Sequence, residues 1–175
     1  MTILILNISC DQKPQYHQLI ERELEKNVRN DSLFLGYSFG MEREVFFDHS
    51  WNLNQEGTIT GTTVVEYQID DLEHSATMSF FPEFKNDKIY KMPIEVQYDA
   101  WAPWNKNLFS DSLIVELVDK YEEIYGEGFI RTMHPRYGKE SWVKVDGNRE
   151  IAIFKKDDMK ARVVFLDLTV EEGNQ

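Results

Sequence analysis

The chain is poor in cysteine and in cations, and each shortage excludes something. A single cysteine stands among 175 residues, so no intramolecular disulfide closes and no cysteine-based structural zinc site forms. Lys and Arg number 19 against 31 Asp and Glu, a formal charge of −12. That balance argues against nucleic acid as the main ligand, because neutralising phosphates needs clustered cations. No Gly-x-Ser-x-Gly, Walker-type loop or His-Glu-x-x-His occurs, so the chain carries no hydrolase, nucleotide or zinc-protease signature. The histidines at 17, 49, 74 and 134 have no partner at i+2 or i+4, and no metal or cofactor site is read from them. What the chain does have is apolar mass. Hydrophobic residues make up 42% and aromatics 13%, enough to offset ordering entropy with a buried core.

Residues 1–10 (MTILILNISC) carry no charge and then turn polar at Asp11. Two readings stand. Ile-Leu-Ile-Leu suits a covered strand over residues 2–8. Alternatively, a short apolar run, Ser9, Cys10 and a charged linker form the end of a secretory signal, with Cys10 as a lipidated residue. The run is too short to span a membrane.

Residues 14–29 place Tyr16, Ile20, Leu24 and Val28 at i+4 spacing with Leu19 beside them. The pattern predicts an N-terminal amphipathic helix with Pro14 near its start. A second helix is expected over 41–55, with Met41, Val45, His49 and Leu53 on one face. Phe47 and Trp51 fall opposite, which implies covering on two sides or a shorter helix. Strand-like runs follow at 58–69, 76–81 and 88–98, with Asp70-Asp71 and Asn86-Asp87 as turns. A third helix is expected over 110–125, closed by Gly126. Further strands fall at 129–133 or 141–145, at 150–154 and at 162–170, and Asp146-Gly147-Asn148 signals a hairpin.

Each half reads helix–strand–strand–strand. The joints rhyme as well, Gln55-Glu56-Gly57-Thr58-Ile59 against Gly126-Glu127-Gly128-Phe129-Ile130. The expected fold is therefore α+β, with two helix-plus-three-stranded antiparallel units in tandem behind an N-terminal helix. The corresponding segments are 1–10 (signal remnant or first strand), 11–35 (helix), 36–107 (first unit and aromatic linker) and 108–175 (second unit).

Two features point to binding. Trp101-Ala102-Pro103-Trp104, with Tyr98 close by, either plugs the joint between units or anchors a partner. Charge is also uneven: residues 44–83 hold eight acidic side chains and no Lys or Arg, whereas residues 131–162 hold nine basic against five acidic. Asp70 and Asp71 belong to the acidic unit. They lack the spacing of a calcium loop, so a protein contact or a solvated turn is their reading. An acidic unit either steers a basic partner or docks on the basic second unit.

Phe39-Gly40-Met41-Glu42-Arg43-Glu44-Val45, ahead of a helix and strands, resembles the Gly-Met opening of small outer-membrane assembly lipoproteins of the SmpA/OmlA type. That family folds as helices on a three-stranded sheet, as do tandem β-lactamase-inhibitor-like modules. The family usually carries Ser or Thr where Glu42 stands. The order Cys10-Asp11-Gln12, Asp99-Ala100-Trp101-Ala102-Pro103-Trp104-Asn105 and Val145-Asp146-Gly147-Asn148-Arg149 is also similar to uncharacterised putative lipoproteins of Gram-negative bacteria. These resemblances imply a cell-envelope address through Cys10 and a two-module fold, and they imply no catalytic residue.

The expected function is thus a non-enzymatic binding or scaffold domain with a protein partner. It meets a membrane only through a lipid anchor at Cys10. The alternative is a cytoplasmic acidic immunity or inhibitor protein that caps a basic toxin or enzyme.

Overall fold

A computed structural model describes residues 14–61 and 64–170. Cys10 and the strand-or-signal question over 1–10 lie outside the described residues. The fold is α+β: three helices and an eight-stranded sheet in which every described pairing is antiparallel.

Helix α1 runs Gln15–Glu25, with Pro14 at its N-cap. It stops short of the expected end because Asn27 turns left-handed (φ 52°), so the ladder breaks and Val28 is left exposed. Its buried stripe is Tyr16, Leu19 and Glu23, and the Glu23 carboxylate is met by Lys26 (2.6 Å) and Arg22 (3.3 Å). Helix α2 runs Arg43–Gln55. It starts two residues late because Met41 and Glu42 are held in strand-like pairing with Ile89 and Lys88.

Strands β1 (Val65–Ile69), β2 (Ala76–Phe80), β3 (Glu83–Lys85) and β4 (Lys88–Tyr98) follow. The β3–β4 hairpin turns on Asn86 (φ 49°) and Asp87 (φ 64°), the left-handed pair that a two-residue turn needs. Helix α3 (Ser110–Tyr125) ends at Gly126 with φ 85°. Then come β5 (Ile130–His134), β6 (Lys139–Asp146), β7 (Arg149–Lys155) and β8 (Lys160–Asp167). Both alternatives at 129–133 and 141–145 are strands, paired with one another.

The strand order β1-β2-β4-β8-β7-β6-β5, with β3 on β4, makes one continuous sheet. This corrects the expectation of two separate three-stranded sheets. Strand β8, the last among the described residues, inserts beside β4, with Met92 opposite Phe165 and Glu95 opposite Arg162. Apolar alternation on both strands lets them share a core face, so pairing them buries more surface than leaving two short sheets with open edges.

One face carries the main core. Met78 and Phe80 of β2, Ile94 and Val96 of β4, Val163 and Phe165 of β8, and Ile151 and Ile153 of β7 pack beneath Leu113, Leu117 and Tyr121 of α3. Leu33, Tyr37 and Phe39 extend this layer, with Phe46 of α2. On the other face α1 lays Tyr16 and Leu19 over Val143, Val145, Ala152 and Phe154. The β1–β2–β4 part of that second face is polar, with Glu66, Thr77, Ser79, Glu95 and Gln97 around a surface hollow.

Candidate functional site

Helix α2 buries one residue fully, Phe46. Its inner side is pinned by polar bonds as well. The Ser50 hydroxyl donates to the Phe46 carbonyl (2.7 Å) and lies 2.9 Å from the Tyr37 hydroxyl, and His49 Nε2 is 2.7 Å from the Leu35 carbonyl. Burial raises the Tyr37 pKa, with the Ser50 contact opposing it. The outer side is left bare. Phe47 is 49% exposed and Trp51 65%, one helical turn apart, and Phe81 (37%) stands next to Phe47, with exposed Val64 lining a neighbouring hollow beyond Phe81. Phe47, Trp51 and Phe81 rim a cleft of about 320 Å³ whose floor is Phe46, Ile59 and Val65.

The cleft is built rather than incidental. Ring centroids of Phe46 lie 5.4 Å from Phe47, 5.8 Å from Phe81 and 5.9 Å from Phe84, all near edge-to-face, the arrangement ring quadrupoles favour. Asn54 donates to the Ile59 carbonyl (3.1 Å) and holds the following loop against the helix. At Gly61 (φ 95°) a Cβ would lie 2.0 Å from the Val64 carbonyl oxygen, so only glycine closes this wall of the cleft. Exposed aromatic and aliphatic groups gathered this way mark interaction surfaces, whereas single exposed residues need no explanation.

Beyond Arg43, the charged side chains of α2 have one sign. Glu44 and Asp48 form a row beside Phe47 and Trp51, and Glu56 caps the C-terminal end of α2, which has no basic residue in its last turn. Like charges at i and i+4 cost about 0.2–0.5 kcal/mol, and an acid at a helix C-terminus opposes the dipole. None of the three carboxylates has an ion pair among the described residues. Arg43, the nearest cation on the helix, is engaged with Asp87 (2.7 Å) and lies over the Phe84 ring (4.0 Å).

The cations of the basic stretch 131–162 are largely engaged internally. Lys156, Lys160 and Arg162 converge on Glu95, Lys155 meets Asp111 and Asp158, and Arg131 meets Glu140. Lys139 and Lys144 donate to backbone carbonyls, and Arg149 is buried. The internal neutralisation that the charge map suggested therefore runs through Glu95 on β4 rather than through residues 44–83.

The residues singled out by sequence collect at the opposite end of the same strands. Ile69, Ala76 and Tyr98 are in register at that end and Val65, Phe80 and Ile94 at the cleft end, about 13 Å away along the strands. Tyr98 is fully buried and its hydroxyl donates to Glu116; burial foremost, and then Glu116, raise its pKa. It is core, not contact surface. Trp101 is half-buried on Phe109, with its indole N–H on the Asp158 carbonyl (3.3 Å). Trp104 is 85% exposed, so the two tryptophans have separate fates. Asp71 pairs with Lys120, which lowers its pKa, and Asp70 accepts the Ser75 hydroxyl (3.4 Å).

His134 is enclosed as well. Its Nδ1 accepts from the Arg136 amide (3.2 Å), so its Nε2–H donates to Glu150 (3.2 Å), whose other oxygen accepts the Tyr16 hydroxyl (2.6 Å). Both His134 and Glu150 are inaccessible to solvent. Arg131 points to the opposite face of β5 toward Glu140, so the two residues share no pocket. Among the described residues no His, Cys, Asp and Glu group could hold a metal ion, and no helix is long and apolar enough to cross a membrane.

Sequence reasoning placed Phe47 and Trp51 opposite Met41, Val45, His49 and Leu53 and expected either covering on two sides or a shorter helix; the helix is shorter by two residues, and Val45 is exposed together with both aromatics. The signal was present; what it lacked was the position of the sheet. Comparison with protein families, with curated proteins and with solved structures finds no match.

Proposed function

We propose that the chain is a non-enzymatic binding domain that docks a basic protein partner through the α2 cleft. One observation carries this reading: Phe47, Trp51 and Phe81 stand exposed together beside unpaired Glu44 and Asp48, with unpaired Glu56 at the end of the same helix. Aromatic anchors supply affinity, and the carboxylates supply steering and selection. The Trp101 loop is the weaker candidate, because Trp101 and Tyr98 are engaged internally and Trp104 is left alone.

The test places a photo-crosslinking residue at position 51 in the producing cell, with the exposed position 115 on α3 as control. A discrete adduct from 51 and not from 115 is expected. The adduct is identified, purified and titrated against wild type and the Phe47→Ala, Trp51→Ala double variant, which should bind at least about tenfold more weakly. An adduct whose purified protein binds both forms equally removes the cleft from the reading.

The address of the domain is proposed separately, as an envelope lipoprotein anchored at Cys10. Incorporation of labelled palmitate into the protein in its producing cell, lost in Cys10→Ala, tests it. Absence of label, together with a partner that is a toxin or enzyme inhibited on binding, favours a cytoplasmic inhibitor instead.

A further inference from the structure

We infer that the docking element received by the α2 cleft is a cationic amphipathic helix of the partner, which seats a bulky apolar side chain between Trp51, Phe47 and Phe81. The inference rests on the docking reading above and narrows it to one kind of occupant.

Size comes first. A cleft of about 320 Å³ is at the lower end of the roughly 300–1,000 Å³ that binding pockets span. It suits a bulky side chain rather than an elongated ligand. The second point is backbone chemistry. An extended peptide would add to the outer edge of β1, but beside the cleft that edge is already used. The Glu66 amide donates to the Thr60 carbonyl (2.9 Å) and the Thr60 amide to the Glu66 carbonyl (2.8 Å). Recognition must then run through side chains, and a helix of the partner, with bulky anchors one turn apart, can pack along the exposed Phe47 and Trp51 row of α2.

Charge selects the sign. Glu44 and Asp48 repel one another along the row beside the aromatics, and Glu56 sits at the helix end that disfavours it. Lys or Arg flanking the anchor of the partner relieves both. Anionic lipid headgroups meet the same carboxylates and are repelled. A second copy of this chain would bring a second acidic row into a self-complementary contact.

The test uses the intact protein and three labelled synthetic peptides, read by fluorescence anisotropy. One is helix-forming with Leu and Phe on one face and Lys beside them, the second has Glu for every Lys, and the third has Ser for every apolar residue. The first peptide should bind and weaken as salt rises. Trp51→Ala alone, at a site two-thirds exposed, should weaken it at least about tenfold with an unchanged melting curve. Glu44→Lys with Asp48→Lys should transfer preference to the acidic peptide. Equal binding of the Lys and Glu peptides overturns the charge assignment, and equal binding of the Ser peptide overturns the anchor. If no peptide binds while the crosslinker at 51 still yields its adduct, the helix is wrong and the docking reading stands. Sedimentation showing a dimer that Trp51→Ala abolishes, or binding to anionic vesicles lost in the same variant, replaces the partner helix and overturns the inference.

Discussion

Glu95→Gln removes the charge that joins the two halves of the chain, and its cost is readable as a function of pH. The Glu95 carboxylate on β4 receives Lys156 (2.5 Å), Arg162 (2.6 Å) and Lys160 (2.9 Å). Burial by itself would raise its pKa, but these three cations outweigh burial and hold it at about 2, below an ordinary value of 4.5. Each unit corresponds to about 1.4 kcal/mol. The gap is worth about 3 kcal/mol, and partial solvation of the lysines brings the expected figure to about 2–3 kcal/mol. Because the folded pKa is the lower one, the stabilisation is complete above the unfolded carboxyl pKa and is lost as pH falls through the folded value. Glu95→Gln cannot titrate. The difference in urea unfolding free energy between wild type and variant should be about 2–3 kcal/mol near neutrality, shrink between about pH 4.5 and 2, and vanish below that. Tryptophan fluorescence follows the transition, and with a single cysteine no disulfide intrudes. A difference under about 0.5 kcal/mol near neutrality, or one that does not change with pH, refutes the reasoning.

Three further outcomes follow from the same geometry. Phe46→Ala should cost about 3–5 kcal/mol by emptying the anchor of α2, while Trp51→Ala on the same helix should stay within about 0.5 kcal/mol in thermal melts. Trp101→Ala should destabilise by about 1–2 kcal/mol, since it loses packing on Phe109 and a hydrogen bond to Asp158, and Trp104→Ala should be nearly neutral; equal effects would contradict their different burial. Tyr16→Phe leaves buried Glu150 with one donor fewer and should cost about 1–3 kcal/mol in denaturant unfolding, with faster hydrogen exchange in α1 than in α3.

Local chemistry was legible where a pattern and its end signals agree. The α3 helix, with Leu113, Leu117 and Tyr121 on one stripe and Gly126 behind them, and the strand β4 have the bounds their residues predict. The hairpin at Asp146-Gly147-Asn148 closes β6 onto β7. Boundaries moved where tertiary bonds competed with propensity: Met41 and Glu42 are drawn into pairing with β4, and residues 58–60 turn back on Leu53 and Glu66 instead of extending β1. The buried Glu23, and the enclosure of His134 with Glu150 and Tyr16, had no pattern to announce them, since each depends on partners supplied by another element or another turn.

By itself the amino-acid order determined the number and kind of most elements, the antiparallel character of their pairing, the lack of a disulfide framework and the opposite charge of the stretches 44–83 and 131–162. These properties depend on side-chain period and on residues close in the chain. Only the tertiary structure decided that β8 inserts beside β4, so that two runs of strands become one sheet. That pairing joins residues some seventy positions apart, and periodicity carries no information about which strand edges meet. It also decided which aromatics reach solvent. The helical pattern showed that Phe47 and Trp51 share a side, but a pattern has no knowledge of where the sheet lies, and the sheet took the other side of α2.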